Sequence, residues 1–445
     1  MSLHLLLLLL LLLSFFHSGI AAATDKPPRT HVTSLPGFDG ALPFRLETGY
    51  VTVDEENGAE LFYYFIESEG DPSTDPVLLW LTGGHRCSVL SALFFEIGPV
   101  KLVIEPYNGG LPRLRYHPYS WTKVASIIFV DSPVGAGFSF SRDTKGYDVG
   151  DVSCSLQIVK FLGKWFGDHP EYLANPFYVG GDSRAGLFAP FIAQKISQDI
   201  EAGVRPALNL KGYIVGNPVT GERIDYESKV PYCHGVGIIS DQLYEMIMEH
   251  CKGEDYHNPK NVICKQALAR FNTIYSNYLS YFWANNNVTR ETLGIKKGSV
   301  DEWVRCHDND LPYTKDIKSS IKYHQNLTLN ADVSLGFTVP DRTESDVGGS
   351  AQPCESPCVK QRPQASLSGT HRSEDARPRG DAPVAFGDHD SVIPFLGTQT
   401  WVRSLNYPIL DDWRTWHVDG QSAGFTTAYG NNLTFATVKE IRSPL

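Results

Sequence analysis

No run of lysine and arginine occurs anywhere in the 445 residues, and the formal net charge is −11. A nucleic-acid partner needs a concentrated basic face from which counterions can be released, so that class is excluded. Long hydrophobic runs are as scarce. Only Leu5 to Leu13 is continuously apolar, and it is too short to span a bilayer comfortably. The stretch that follows, SFFHSGIAAATD with Ala21 and Ala23, suits the small-residue cleavage site of a secretory signal peptide over residues 1–23. The start MSLH offers only the amine and His4 as positive charge, which keeps a signal anchor as the alternative. No second segment approaches spanning length, so no membrane attachment is expected after cleavage. Metal-ligand spacing is missing too: Cys354 and Cys358 lack the second pair that a zinc site requires. Neither a metal nor a cofactor is expected.

What is present is core-forming material, 42% hydrophobic and 12% aromatic, enough for one large domain or two modest ones. Entry into the secretory pathway gives meaning to the sequons at Asn287, Asn326 and Asn432, whose asparagines would meet the glycosylation machinery. It also permits disulfides among Cys87, Cys154, Cys233, Cys251, Cys264, Cys306, Cys354 and Cys358. Spacing alone assigns no pairs.

Four short apolar runs end in Gly- or Pro-rich turns: DPVLLWLTGG (75–84), SIIFVDSPVG (126–135), NPFYVGGDS (175–183) and LKGYIVGNPV (210–219). Such runs suit central strands covered on both faces. Between them, residues 151–170 and 185–203 show helical apolar spacing. The alternation predicts an α/β fold around a mostly parallel sheet. The first part of the core covers residues 24–220. Residues 221–325 lose the strand rhythm and read as an inserted helical cap, and 385–445 return to the core. Residues 331–384 hold Phe337 as their only aromatic and are dense in Pro, Ser, Gly and Arg. That composition buries too little surface to offset its ordering entropy, which leaves two readings: a retained intron or frame error in the gene, and a genuine disordered loop.

In YVGGDSRAGLFAP (178–190), a strand runs into a sharp turn and a helix with Ser183 at the apex, flanked by the small Gly181 and Ala185. A serine so placed exposes its hydroxyl at the carboxyl end of a sheet. The pattern is common by chance, and its last glycine is replaced by Ala185. Downstream, GDHDSVIPF places Asp390 ahead of an apolar helix, the serine-then-acid chain order of α/β hydrolases.

With LLWLTGGHRCSVLSALFFEIGPV, FVDSPVGAGFSFS, HPEYLANPFYVGGDSRAG, GYIVGNPVT and GDHDSVIPFLGTQTWVRSLNYPILDDWRTW, the chain resembles the serine carboxypeptidase family, particularly its plant carboxypeptidase-like members. The resemblance covers roughly residues 32–330 and 385–439. It implies an α/β-hydrolase fold, Ser183 as nucleophile, Asp390 as triad acid, and the backbone N–H groups of Gly84 and Arg184 as an oxyanion hole. It implies substrate contacts at Thr82, Gly83, Asp182 and Glu96. Where the family's peptidases hold a C-terminal carboxylate with Asn and Glu, this chain has Thr82 and Asp182, which is similar to the branch that moves acyl groups from sugar esters to alcohols. The expected partners are a small-molecule acyl donor and acceptor or a peptide C-terminus, and the expected destination is extracellular or vacuolar. Glu96 matches a carboxylate that pairs with the residue at Asp182, an arrangement that raises one pKa; the alternative is two buried structural hydrogen-bonders. The resemblance also pairs Cys87 with Cys306, and Cys251 with Cys264 is a second candidate bridge.

Departures from the family pattern are specific. His85-Arg86 replaces Pro-Gly, and Arg184 replaces Tyr. If position 86 needs a positive φ, arginine costs about 1–2 kcal/mol there. The family's triad histidine follows an FATVK motif, which here leads to Glu440–Leu445, and no histidine follows His417. His417 itself reads as a surface residue. The expectation is therefore a carboxypeptidase-like hydrolase or acyltransferase impaired by loss of its base, with a non-catalytic secreted binding protein as the rival.

Overall fold

The computed structural model describes residues 29–103, 105, 109–237, 239–256, 258–271, 284–304, 311–329, 382–387, 393–418 and 421–439, with the backbone alone at 270–271 and 382–387. The strands in chain order are β1 Thr30–Val32, β2 Leu46–Asp54, β3 Ala59–Ile66, β4 Val77–Leu81, β5 Val100–Leu102, β6 Leu114–Tyr116, β7 Ser126–Val130 and β8 Phe140–Ser141. They continue with β9 Val149–Gly150, β10 Phe177–Asp182, β11 Leu210–Gly216, β12 Tyr313–Thr314, β13 Ala382–Gly387, β14 Ile409–Val418, β15 Gln421–Tyr429 and β16 Leu433–Val438.

Twelve of these form one sheet in the order β1-β2-β3-β7-β4-β10-β11-β13-β16-β15-β14, with β8 on β3. From β7 to β16 every neighbouring pair is parallel. This centre is the parallel sheet expected from the sequence, and the four apolar runs supply four of its strands. Its strands β4 and β7 are buried at every position, because helices cover both faces. The flanks are antiparallel, from β1 to β7 on one side and from β16 to β14 on the other, so the sheet is mixed. The hairpin β2–β3 had no counterpart among the expected strands.

Helices α1 Asp151–Asp168 and α2 Ala189–Glu201 occupy the expected windows. α1 buries Cys154, Ile158, Phe161, Leu162 and Trp165, the three-and-four spacing that turns one helical stripe to the core. The span expected as a cap contains α3 Asp241–His250, α4 Val262–Phe271, α5 Asn287–Thr292 and the start of α6 Ile321–Leu329. A disulfide, Cys251–Cys264, ties the end of α3 to α4. Most of segment 331–384 lies outside the described residues, but its last three positions belong to β13, seated between β11 and β16. Helix α7, Phe395–Ser404, follows and packs Trp401 and Val402 into the core.

Candidate active site

Ser183 directly follows β10, which ends at Asp182, and opens a 3-10 turn, Ser183–Leu187, before α2. Its φ is 51°, in the left-handed region that an L-residue enters at a cost of about 1–2 kcal/mol. The turn closes because its neighbours are small. A Cβ on Gly181 would come within 2.6 Å of the Ala185 Cβ and 2.7 Å of the Leu81 carbonyl oxygen. A Cβ on Gly186 would meet Pro218 at 2.2 Å. Glycine is thus required at 181 and 186, while 185 accommodates a methyl. The Val219 N–H donates to the Ser183 carbonyl at 2.7 Å, binding the turn to the end of β11.

The loop after β4 lies directly against this turn. The Gly83 N–H donates to Asp182 Oδ1 at 3.0 Å, and a Cβ on Gly83 would sit 2.4 Å from the Ser183 Cβ and 3.0 Å from its Oγ. Ser183, Asp182, Gly83 and Thr82 are therefore brought together, with Gly84 next in the chain at φ 82°. Arg86 has φ 52°, as expected of a position where the family places glycine. It is buried, and its Nη2 donates to the carbonyls of Tyr147 at 2.7 Å and Pro312 at 2.6 Å, which offset the strain. A cavity of about 20 Å³ beside the loop is lined by Thr82, Gly84, Ser132, Arg184 and Tyr313 among others; it has room for about one water.

Three supporting residues had not been singled out from the sequence. Asp131, fully buried after β7, accepts from Ser88 Oγ at 2.8 Å, Val89 N at 2.9 Å and Phe138 N at 2.9 Å. It thereby anchors the segment that follows the β4 loop. Burial pushes its pKa up to about 6, against which those hydrogen bonds act. Asn217 has φ 40° and donates from Nδ2 to the Ile393 carbonyl at 2.9 Å, linking the end of β11 to the segment just after the expected acid. Asp151, at the first position of α1, accepts from Arg184 and Tyr313. The available signal for Asp131 and Asn217 was an isolated polar residue directly after an apolar strand run.

Glu96 ends a π-helical turn, Ala92–Glu96, half-buried, with Lys101 Nζ on its backbone carbonyl at 2.9 Å. Burial drives the Lys101 ammonium down to about 8, with Glu96 opposing that shift. Asp390 and Cys306 lie outside the described residues. Cys87 is disulfide-bonded, and Cys154 and Cys233 are free and buried. His417 is exposed on β14, five strands from the one that carries Ser183, or about 24 Å at the usual strand spacing. Asn287 and Asn326 are exposed and Asn432 half-buried. A cavity of about 800 Å³ lies far along the sheet at β1–β2; its buried Glu47 is already taken by Tyr63 OH at 2.6 Å and His169 Nε2 at 2.9 Å. Among the described residues no cluster of metal ligands occurs, and no described helix is long and apolar enough to cross a membrane.

A left-handed serine at a strand-to-helix turn, on the parallel centre of a mixed sheet with helices on its faces, is the architecture of an α/β hydrolase. The chain belongs to the serine carboxypeptidase family, whose model matches residues 36–282 and 382–441. It is 42% identical over 435 residues to serine carboxypeptidase-like 3 of Arabidopsis thaliana, covering 92% of this chain and 87% of the relative. It is 39% identical over 428 residues to serine carboxypeptidase-like 17 of the same plant, covering 91% and 87%. The fold is similar to that of Kex1(Δ)p, a prohormone-processing carboxypeptidase from Saccharomyces cerevisiae, with a TM-score of 0.63 at 16% identity over 92% of this chain and 89% of that one.

Proposed function

We propose that Ser183 is a nucleophile for acyl chemistry: it attacks an ester or a C-terminal peptide bond, forms an acyl-enzyme, and passes the acyl group to water or to an alcohol. The observation that carries this reading is the contact between the two halves of the site. The N–H of Gly83 is held by Asp182 Oδ1, and no side chain at Gly83 fits over Ser183. That arrangement keeps the Thr82–Gly84 loop against the serine, where the N–H groups of Gly84 and Arg184 can receive the charge that develops on the attacked oxygen. Asp390 is the proposed acid. Thr82 and Asp182, standing where the family's peptidases hold a C-terminal carboxylate with Asn and Glu, favour an acyl donor such as a sugar ester over a free peptide carboxylate.

His417 is too remote to act as base. Without a triad histidine, an oxyanion hole and binding alone retain roughly 10³–10⁴-fold acceleration over water. The site belongs to a secreted or vacuolar glycoprotein in this reading, with glycans at the exposed Asn287 and Asn326 and at Asn432.

The test is covalent labelling by a fluorophosphonate, with Ser183→Ala as control, alongside hydrolysis of an activated ester and transfer from a glucose ester. A second chain carries a Gly-Gly-His tail after Lys439. Labelling that requires Ser183, and turnover that rises with the tail, supports the reading. Absence of Ser183-dependent labelling in both chains overturns it in favour of a binding protein.

A further inference from the structure

The oxyanion hole asks only a backbone N–H of residue 184, yet the side chain there is committed to a buried network. Arg184 Nη2 donates to Asp151 Oδ1 at 2.9 Å, and its guanidinium carbon lies 5.6 Å from the Phe188 ring centre and 5.7 Å from that of Tyr313. Asp151 is fully buried. It receives two more donors, Tyr313 OH at 2.8 Å and Ile317 N at 3.0 Å, and it sits in the first turn of α1, where the helix dipole favours a carboxylate. Tyr313 begins β12, which pairs with β9 immediately before α1. The same ring lies 5.4 Å from the Arg86 guanidinium carbon and 4.5 Å from the His85 ring. One tyrosine therefore touches His85 and Arg86, which follow the expected hole donor Gly84, and Arg184, which is itself the other expected donor.

An ion pair to a buried carboxylate resists displacement more than a neutral contact does, because breaking it strands a charge away from water. Arg184 is also the residue whose own N–H must be aimed, and it follows a serine held at φ 51°. We infer that Arg184 is a positioning residue. Through Asp151 and Tyr313 it fixes the direction of its own backbone N–H and makes that direction depend on β12. The inference rests on the reading of Ser183 as nucleophile for its chemical consequence, but not for its structural one.

The test uses the full chain with Arg184→Ala, Arg184→Lys, Asp151→Asn and Tyr313→Phe. Two quantities are read: the maximal rate of fluorophosphonate labelling, separated from the half-saturating reagent concentration, and backbone amide exchange in residues 183–187. A hole donor displaced by about 1 Å costs about 10- to 100-fold. Arg184→Ala and Asp151→Asn should lower the maximal rate by that factor with little change in half-saturation, and should speed exchange in 183–187. Tyr313→Phe should do so less, and millimolar guanidinium should partly restore Arg184→Ala. If Arg184→Ala does not fold, Asp151→Asn and Tyr313→Phe carry the same test. A lowered melting temperature with unchanged rate and unchanged local exchange overturns the inference. If the wild-type serine does not label at all, the nucleophile reading falls, while unchanged exchange in the variants would still overturn the positioning role by itself.

Discussion

At Ser183 there is no space for one added methyl group, whereas along β14 most side chains reach water. The turn is enclosed by Gly83, Gly181 and Gly186, each of which would clash with another part of the chain if it carried a Cβ. The outer hairpin instead exposes Ile409 at 56%, Leu410 at 72%, Trp413 at 41% and Phe425 at 39%. Its β14–β15 register shifts three times. Both regions belong to one sheet. Central strands paired on both edges leave no freedom to the backbone between them, so small residues there are dictated by geometry. An outer strand with one free edge tolerates many side chains and irregular pairing.

The comparison breaks most sharply at Gly83. Gly83→Ala should abolish Ser183-dependent labelling and destabilise by roughly 1–3 kcal/mol, the usual range for overpacking, measured by chemical denaturation beside the labelling assay. A loss of labelling smaller than tenfold would show that the loop moves away without consequence for the serine. Cutting the Cys251–Cys264 bridge, by Cys251→Ser with Cys264→Ser, should cost about 3 kcal/mol, as expected for a loop of its length. It should leave labelling intact, because the bridge lies between α3 and α4, away from the turn.

Asp131 sharpens the comparison through pH. Its folded pKa of about 6 stands above the ordinary value of 3.8, so the folded state holds the proton longer than the unfolded one. The stabilising contribution is full below pH 3.8 and is lost as pH rises through about 6. Across that window the loss is about 3 kcal/mol. Asp225, raised to about 6 by burial, acts in the same direction. The stability of wild type relative to Asp131→Asn should therefore fall between pH 4 and 7, read as melting temperature against pH; a constant difference would refute this. The smallest effect is expected at the rim. Trp413→Ser removes a stack on Phe425 with ring centres 5.2 Å apart and planes inclined by 2°, worth about 0.5–1.5 kcal/mol, with no change in labelling.

Legibility followed the same division. The runs around Val77–Leu81, Ser126–Val130, Phe177–Asp182 and Leu210–Gly216 were readable because strands buried on both faces must be apolar throughout. The glycine requirement at position 86 was readable as well, and Arg86 meets it under strain. The hairpin β2–β3 escaped although Asn57-Gly58, with Gly58 at φ 65°, marks its turn: both strands are buried almost throughout, so the alternation that signals a half-buried strand is absent. The bond from Asp151 to Arg184 and Tyr313 could not be read from spacing, since its members are brought together by α1, the turn and β12 from distant parts of the chain.

The position of β13 in the sheet has a consequence for how the chain is made. β11 ends at Gly216, and its partner on one side, β13, begins at Ala382, beyond the whole cap. A ribosome adding roughly 5–20 residues per second needs about 10–30 s to supply that partner. Throughout that interval the newly made β11 presents an open parallel edge while β4 and β10 have already been synthesised beside it. Nascent chains should therefore be most prone to intermolecular strand pairing, and most dependent on chaperones, between the synthesis of residues 216 and 382.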